Sequence, residues 1–161
     1  MPGLGDLNRL SQGDARLKFI QCCGSRRWAH QMALSLPFMS EEALFKEAVR
    51  IWEGLSEEDY REAFAAHPKI GQKPTAKWES EEQAGVSEAS ATVLGELAQG
   101  NKDYEAKFGY LFLVCATGKT ADEMLAVLKL RLSNDAKREL SVAAKEQRKI
   151  TKLRLEKLLQ S

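Results

Sequence analysis

From Ser40 to Leu55 the apolar residues Leu44, Phe45, Ala48, Val49, Trp52 and Leu55 recur at intervals of three and four. That interval draws one stripe along a helix and leaves no alternation from which a strand could be built. The same period returns along most of the chain. Tyr60, Ala63 and Phe64 form the inner face of a second helix, opened by Ser56 with Asp59 and ending near Ala66, because Pro68 disfavours helical geometry at His67. A third stripe, Ala121, Met124, Leu125, Leu128 and Leu132, follows a capping box made by Thr120 and Glu123. A last helix is expected from about Ala136 to Leu159, and two short ones in "DARLKFIQCCG" and "RRWAHQMALSLPF". The stretch "VSEASATVLGELAQGNKDYEAKFG" fits one long helix or two broken near Gly100. Only "YLFLVCAT" is ambiguous between buried strand and buried helix, and one strand cannot form a sheet alone. The expected architecture is therefore all-α, a single-domain bundle of about seven or eight helices over residues 1–161.

Composition excludes several functional classes. A net charge of +1, with acids and bases interleaved, gives no field for nucleic acid or membrane surfaces. The locally basic "KEQRKITKLRLEKLL" fits a solvated helix face. Three cysteines, two of them adjacent, fit no closed disulfide framework and point to a reducing compartment. No CxxC pair supports zinc. No apolar run approaches the length of a membrane span, and "MPGLGDLNRL" lacks the pattern of a secretory signal. The expectation is a cytoplasmic protein.

A few residues break the helical pattern. In the last helix, Leu140, Ala143, Gln147, Ile150 and Leu158 all project close to the direction of Arg154, whereas Lys145, Lys149, Lys152 and Glu156 face away. A guanidinium in an apolar stripe needs a carboxylate partner or a ligand anion, and both remain open. His67 is one of two histidines. Before proline at a helix end it serves either as a cap for the last carbonyls or as an acid–base group held at a defined angle. "SEEQ" at 80–83 fits a capping box with Ser80 as N-cap and Gln83 three residues on. His30 is expected in packing or at the surface, and Trp28, Trp52 and Trp78 in a core or lid. "GKT" at 118–120 is not a phosphate loop, because Leu113 occupies the position of its first glycine.

Four segments in this order resemble a known family: "AHPKIG" at 66–71, "EEQAGV" at 81–86, "YEAKFGYLFLVCATGKTADEML" at 104–125 and "KITKLRL" at 149–155. The family is that of the 2-oxo-4-hydroxy-4-carboxy-5-ureidoimidazoline (OHCU) decarboxylases of urate breakdown. The resemblance implies an all-α fold, a homodimer, conversion of OHCU to (S)-allantoin and carbon dioxide, and no need of a metal or organic cofactor. It implies catalytic roles for His67 and Glu82. Substrate contacts are implied for Pro68, Gln83, Arg154 and the backbone of Val114, Cys115, Ala116, Thr117 and Gly118. Members often carry serine three residues before the glutamate. Here that position is Glu79 and the next is Ser80, so either Ser80 takes the contact or Glu79 replaces it. A helical interaction module docking through its basic last helix, and a hydrolase of a related ureide, are the competing readings.

Overall fold

A computed structural model describes residues 3–68, 77–84 and 89–160; of the helical residues Lys77, Glu79 and Ser80 it describes the backbone alone. The described residues form helices and connecting segments, with no strand among them. In chain order the helices are α1 (Leu4–Asn8), α2 (Gln12–Cys22), α3 (Arg26–Leu34), α4 (Glu41–Glu53), α5 (Glu57–Ala65), α6 (Lys77–Glu82), α7 (Ala91–Phe108), α8 (Ala121–Arg131) and α9 (Ala136–Gln160). The all-α expectation holds. The single-turn α1 was not expected, since five residues are too few for a stripe to show.

Helix starts follow local chemistry. The hydroxyls of Ser11, Ser25, Ser40 and Ser90 each accept from the backbone N–H three residues on, opening α2, α3, α4 and α7. Thr120 and Glu123 make the complete reciprocal box at α8, and Asp135 caps α9 through the Arg138 amide at 2.7 Å. Ser56 and Asp59 bond each other's amides at 3.3 Å ahead of α5. Ser80, expected as an N-cap, does not hold that position. Helix α6 begins at Lys77, so Ser80 is inside it rather than at its N-cap. The loop residues 69–76 and residues 85–88 lie outside the described set.

The chain clusters into two compact units, one of residues 1–63 with 148–161, the other of residues 64–147. The first holds α1 to α4, most of α5 and the second half of α9. Its centre is Trp28, fully buried, with the indole Nε1 donating to the Ala48 carbonyl at 3.1 Å and the Phe19 ring edge-on at 6.0 Å. Asn8 ties the N-terminal segment down by pairing with both backbone groups of Phe38 at 2.9 Å. The Tyr60 hydroxyl donates to the Trp52 carbonyl at 3.0 Å.

The second unit holds the end of α5, α6, α7, α8 and the start of α9. Helix α7 runs unbroken through Gly100, where a break was possible on spacing alone. That glycine is buried against Leu128 of α8, and a Cβ there would lie 2.4 Å from Leu128 Cδ2. Its role is close helix approach rather than termination. Gly109 supplies the stop instead, with φ +84°, the left-handed region that glycine enters without a Cβ penalty.

After Gly109 the run "YLFLVCAT" is neither helix nor strand. Most of its side chains are buried in the core of the unit. Phe112, Leu113 and Val114 are at most 3% exposed, and Tyr104 lies edge-on to Phe112 at 5.4 Å. Buried backbone without a regular ladder must find side-chain partners. Arg131 Nη1 donates to the Leu113 carbonyl at 2.6 Å, Glu146 accepts from the Cys115 amide at 3.0 Å, and Lys119 Nζ donates to the Cys115 carbonyl at 3.1 Å. Arg131 is held in turn by Glu139, which is fully buried and accepts from its Nε at 2.9 Å and its Nη2 at 2.5 Å. Tyr104 and Asn134 also donate to that carboxylate. Side chains thus replace the neighbouring strand that this segment lacks.

Candidate active site

His67 follows α5 directly. Its backbone N–H still bonds the Phe64 carbonyl, at 3.2 Å, so the last turn delivers the residue to its place. The ring is buried and its Nε2 lies 2.6 Å from Oε1 of Gln147, eighty residues further on and itself fully buried. A long-range partner of this kind goes beyond a local helix cap. Pro68, which sets the chain direction after it, is half-buried.

Glu82 ends α6 and Gln83 follows it; both are buried to 9% exposure. The side chains of Glu79 and Ser80 lie outside the described set, so the alternative left by the missing serine stays where the sequence put it.

The segment 114–118 is the third component. Val114, Cys115 and Ala116 are buried, whereas Thr117 and Gly118 are exposed. The Lys119 amide closes a turn on the Ala116 carbonyl at 3.0 Å, and Gly118, at φ +78°, supplies the positive angle this turn needs in its third position. Burial pushes the Cys115 thiol above its ordinary range, and the Glu146 and Glu82 carboxylates push it the same way. Two acids therefore act at this segment, Glu82 from α6 and Glu146 from α9. Successive residues of α9 thus serve two parts of the unit: Glu146 holds the Cys115 amide, and Gln147 meets His67.

Arg154 belongs to the first unit. It is buried, as its place in the stripe predicts, and its Nη1 donates to the Gln21 carbonyl at 3.2 Å. Its charge acts on the neighbouring thiols of Cys22 and Cys23. Burial outweighs it and holds both near 12. His30 is exposed, Trp28 and Trp52 are core, and Trp78 is half-buried.

The sequence reading did not single out Gln147, Glu146, Arg131 or Glu139. A signal for Gln147 was present, since it is an uncharged polar residue in the same apolar stripe that exposed Arg154. Arg131 and Glu139 carried none, because charged residues near helix ends are ordinary on a solvated surface.

These features define a class: an all-helical protein that buries a histidine, three glutamates and two glutamines in a unit whose backbone is braced by side chains. The OHCU decarboxylase family model matches residues 8–156, and the chain belongs to that family. A uric acid degradation bifunctional protein of Arabidopsis thaliana is 43% identical over 85% of this chain, and one from Bacillus sp. (strain TB-90) is 28% identical over 98% of it. The chain spans 45% and 32% of the lengths of those two relatives. A crystal structure of an OHCU decarboxylase in the presence of (S)-allantoin matches with a TM-score of 0.82 and 43% identity, covering 89% of this chain and 98% of that one. A crystal structure of (S)-allantoin synthase, 18% identical with a TM-score of 0.74, shares the fold.

Proposed function

We propose that this protein decarboxylates OHCU to (S)-allantoin in urate breakdown, without a metal or organic cofactor, with the 161 residues acting as one decarboxylase domain. The observation that carries the proposal is the buried His67 within a chain so similar to a solved OHCU decarboxylase. No cofactor is needed, because the substrate contains its own electron sink. The departing carboxylate is on a carbon next to a ring C=N carbon. When that C–C bond breaks and carbon dioxide leaves, the electron pair forms a ring C=C and the imine nitrogen takes up a proton. The adjacent hydroxyl then gives up its proton as the carbonyl forms, and a proton added to the neighbouring carbon on one face sets the S centre. One proton is consumed overall.

In this proposal His67 bonds the hydroxyl and manages its proton. Glu82 orients the ureido or ring N–H groups, or His67 itself, and either residue delivers the stereospecific proton. Pro68, Gln83, Glu79 or Ser80, and the backbone of 114–118 line the substrate. Arg154 binds an anionic or carbonyl group of it. A homodimer in the cytoplasm completes the proposal; among the described residues no helix is long and apolar enough to cross a membrane.

The test generates OHCU from urate in situ and follows optical activity and carbon dioxide release. Rapid formation of the S enantiomer is expected. His67→Asn should lower turnover by about 10²–10⁴-fold while remaining folded. Racemic allantoin at the spontaneous rate would exclude the activity, leaving the interaction module or a different ureide enzyme. Near wild-type turnover by folded His67→Asn would exclude the role given to His67.

A further inference from the structure

We infer that Gln147 is the positioning residue of His67, fixing the imidazole as the tautomer that carries its proton on Nε2 and its lone pair on Nδ1. This rests on the reading of His67 as the group that handles the substrate proton. The contact is 2.6 Å, between a ring 9% exposed and an amide fully buried. With the amide oxygen, which only accepts, facing the ring, Nε2 is the donor. A neutral imidazole has one N–H, and placing it on Nε2 makes Nδ1 the basic atom. A buried hydrogen bond of ordinary net strength biases the two tautomers by about tenfold, and the burial of both partners favours keeping it made. An amide also orients the ring without adding a negative charge that would favour the imidazolium, as a carboxylate in its place would. The ring is thereby held as a base. In the proposed reaction, the hydroxyl proton passes to Nδ1 as the carbonyl forms.

Delivery of the two partners is built into the fold. Pro68 and the end of α5 set the ring's origin, and α9 sets that of the amide. The neighbouring Glu146 anchors the Cys115 amide, so the registry of α9 that places Gln147 also places the segment 114–118.

The experiment uses the two-histidine composition. In His30→Gln, which alters an exposed residue, His67 is the only imidazole. Nitrogen-15 NMR of this protein at a pH where the ring is neutral should show Nε2 protonated and Nδ1 unprotonated. Adding Gln147→Leu should give a mixture of tautomers. With OHCU, Gln147→Leu should lower kcat by up to about 10²-fold and leave KM within about twofold, as expected when a reacting group is misplaced. A ring protonated on Nδ1 in the His30→Gln protein overturns the inference without any Gln147 variant. So does an unchanged tautomer or unchanged kcat in Gln147→Leu. If no form of the protein decarboxylates OHCU, the activity falls, whereas the NMR result still decides what Gln147 does to the ring.

Discussion

Replacing Arg131 by methionine keeps most of the side-chain volume and removes one charge. The guanidinium makes two hydrogen bonds to Glu139, at 2.9 and 2.5 Å, and one to the Leu113 carbonyl at 2.6 Å. Its side chain is 7% exposed and that of Glu139 is fully buried. Breaking a buried pair by removing one partner leaves a charge without compensation, a loss of about 3–5 kcal/mol. That is a large share of the roughly 5–15 kcal/mol that holds a domain together. With a urea dependence of about 1–3 kcal/mol per molar, the unfolding midpoint should fall by roughly 1–5 M. Adding Glu139→Leu should recover part of the loss, because no charge is left behind. The reasoning is refuted if Arg131→Met loses less than about 1 kcal/mol, or if the double variant loses the sum of the two single ones.

Other perturbations follow the same logic. Glu146→Ala should cost about 1–3 kcal/mol in chemical denaturation, since it strips the Cys115 amide of its acceptor. Glu146→Gln, which keeps an oxygen there and removes a charge, should lower the pKa of the Cys115 thiol, read as faster alkylation at a fixed pH. Gly100→Ala gains about 1 kcal/mol of helix propensity but forces a methyl against buried Leu128. Overpacking of about 1–3 kcal/mol should win, lowering Tm. Cys22 and Cys23, held near 12 by burial, should resist thiol reagents at pH 8 until the protein unfolds. Because both thiols are harder to ionise folded than unfolded, stability should fall as pH rises past about 9, measurable as a declining Tm.

Local patterns in the chain dictated the helical class, most helix limits and the strangeness of two residues. Periodicity, serine caps and the proline after His67 act within a few residues of one another, so they are legible without a fold. Burial of Arg154 was also legible, since a helical wheel requires only a helix. Tertiary structure decided what no local rule reaches. Ser80 became a helix interior residue when α6 began earlier. Gly100 became a packing site because α8 brings Leu128 to it. The run "YLFLVCAT" took neither of its two expected forms, because Arg131, Glu146 and Lys119 satisfy the Leu113 carbonyl and the Cys115 amide and carbonyl. A partner of His67 lies eighty residues away on α9. Spacing along a chain sets which face a residue occupies, but a hydrogen bond across that distance exists only once the helices have packed.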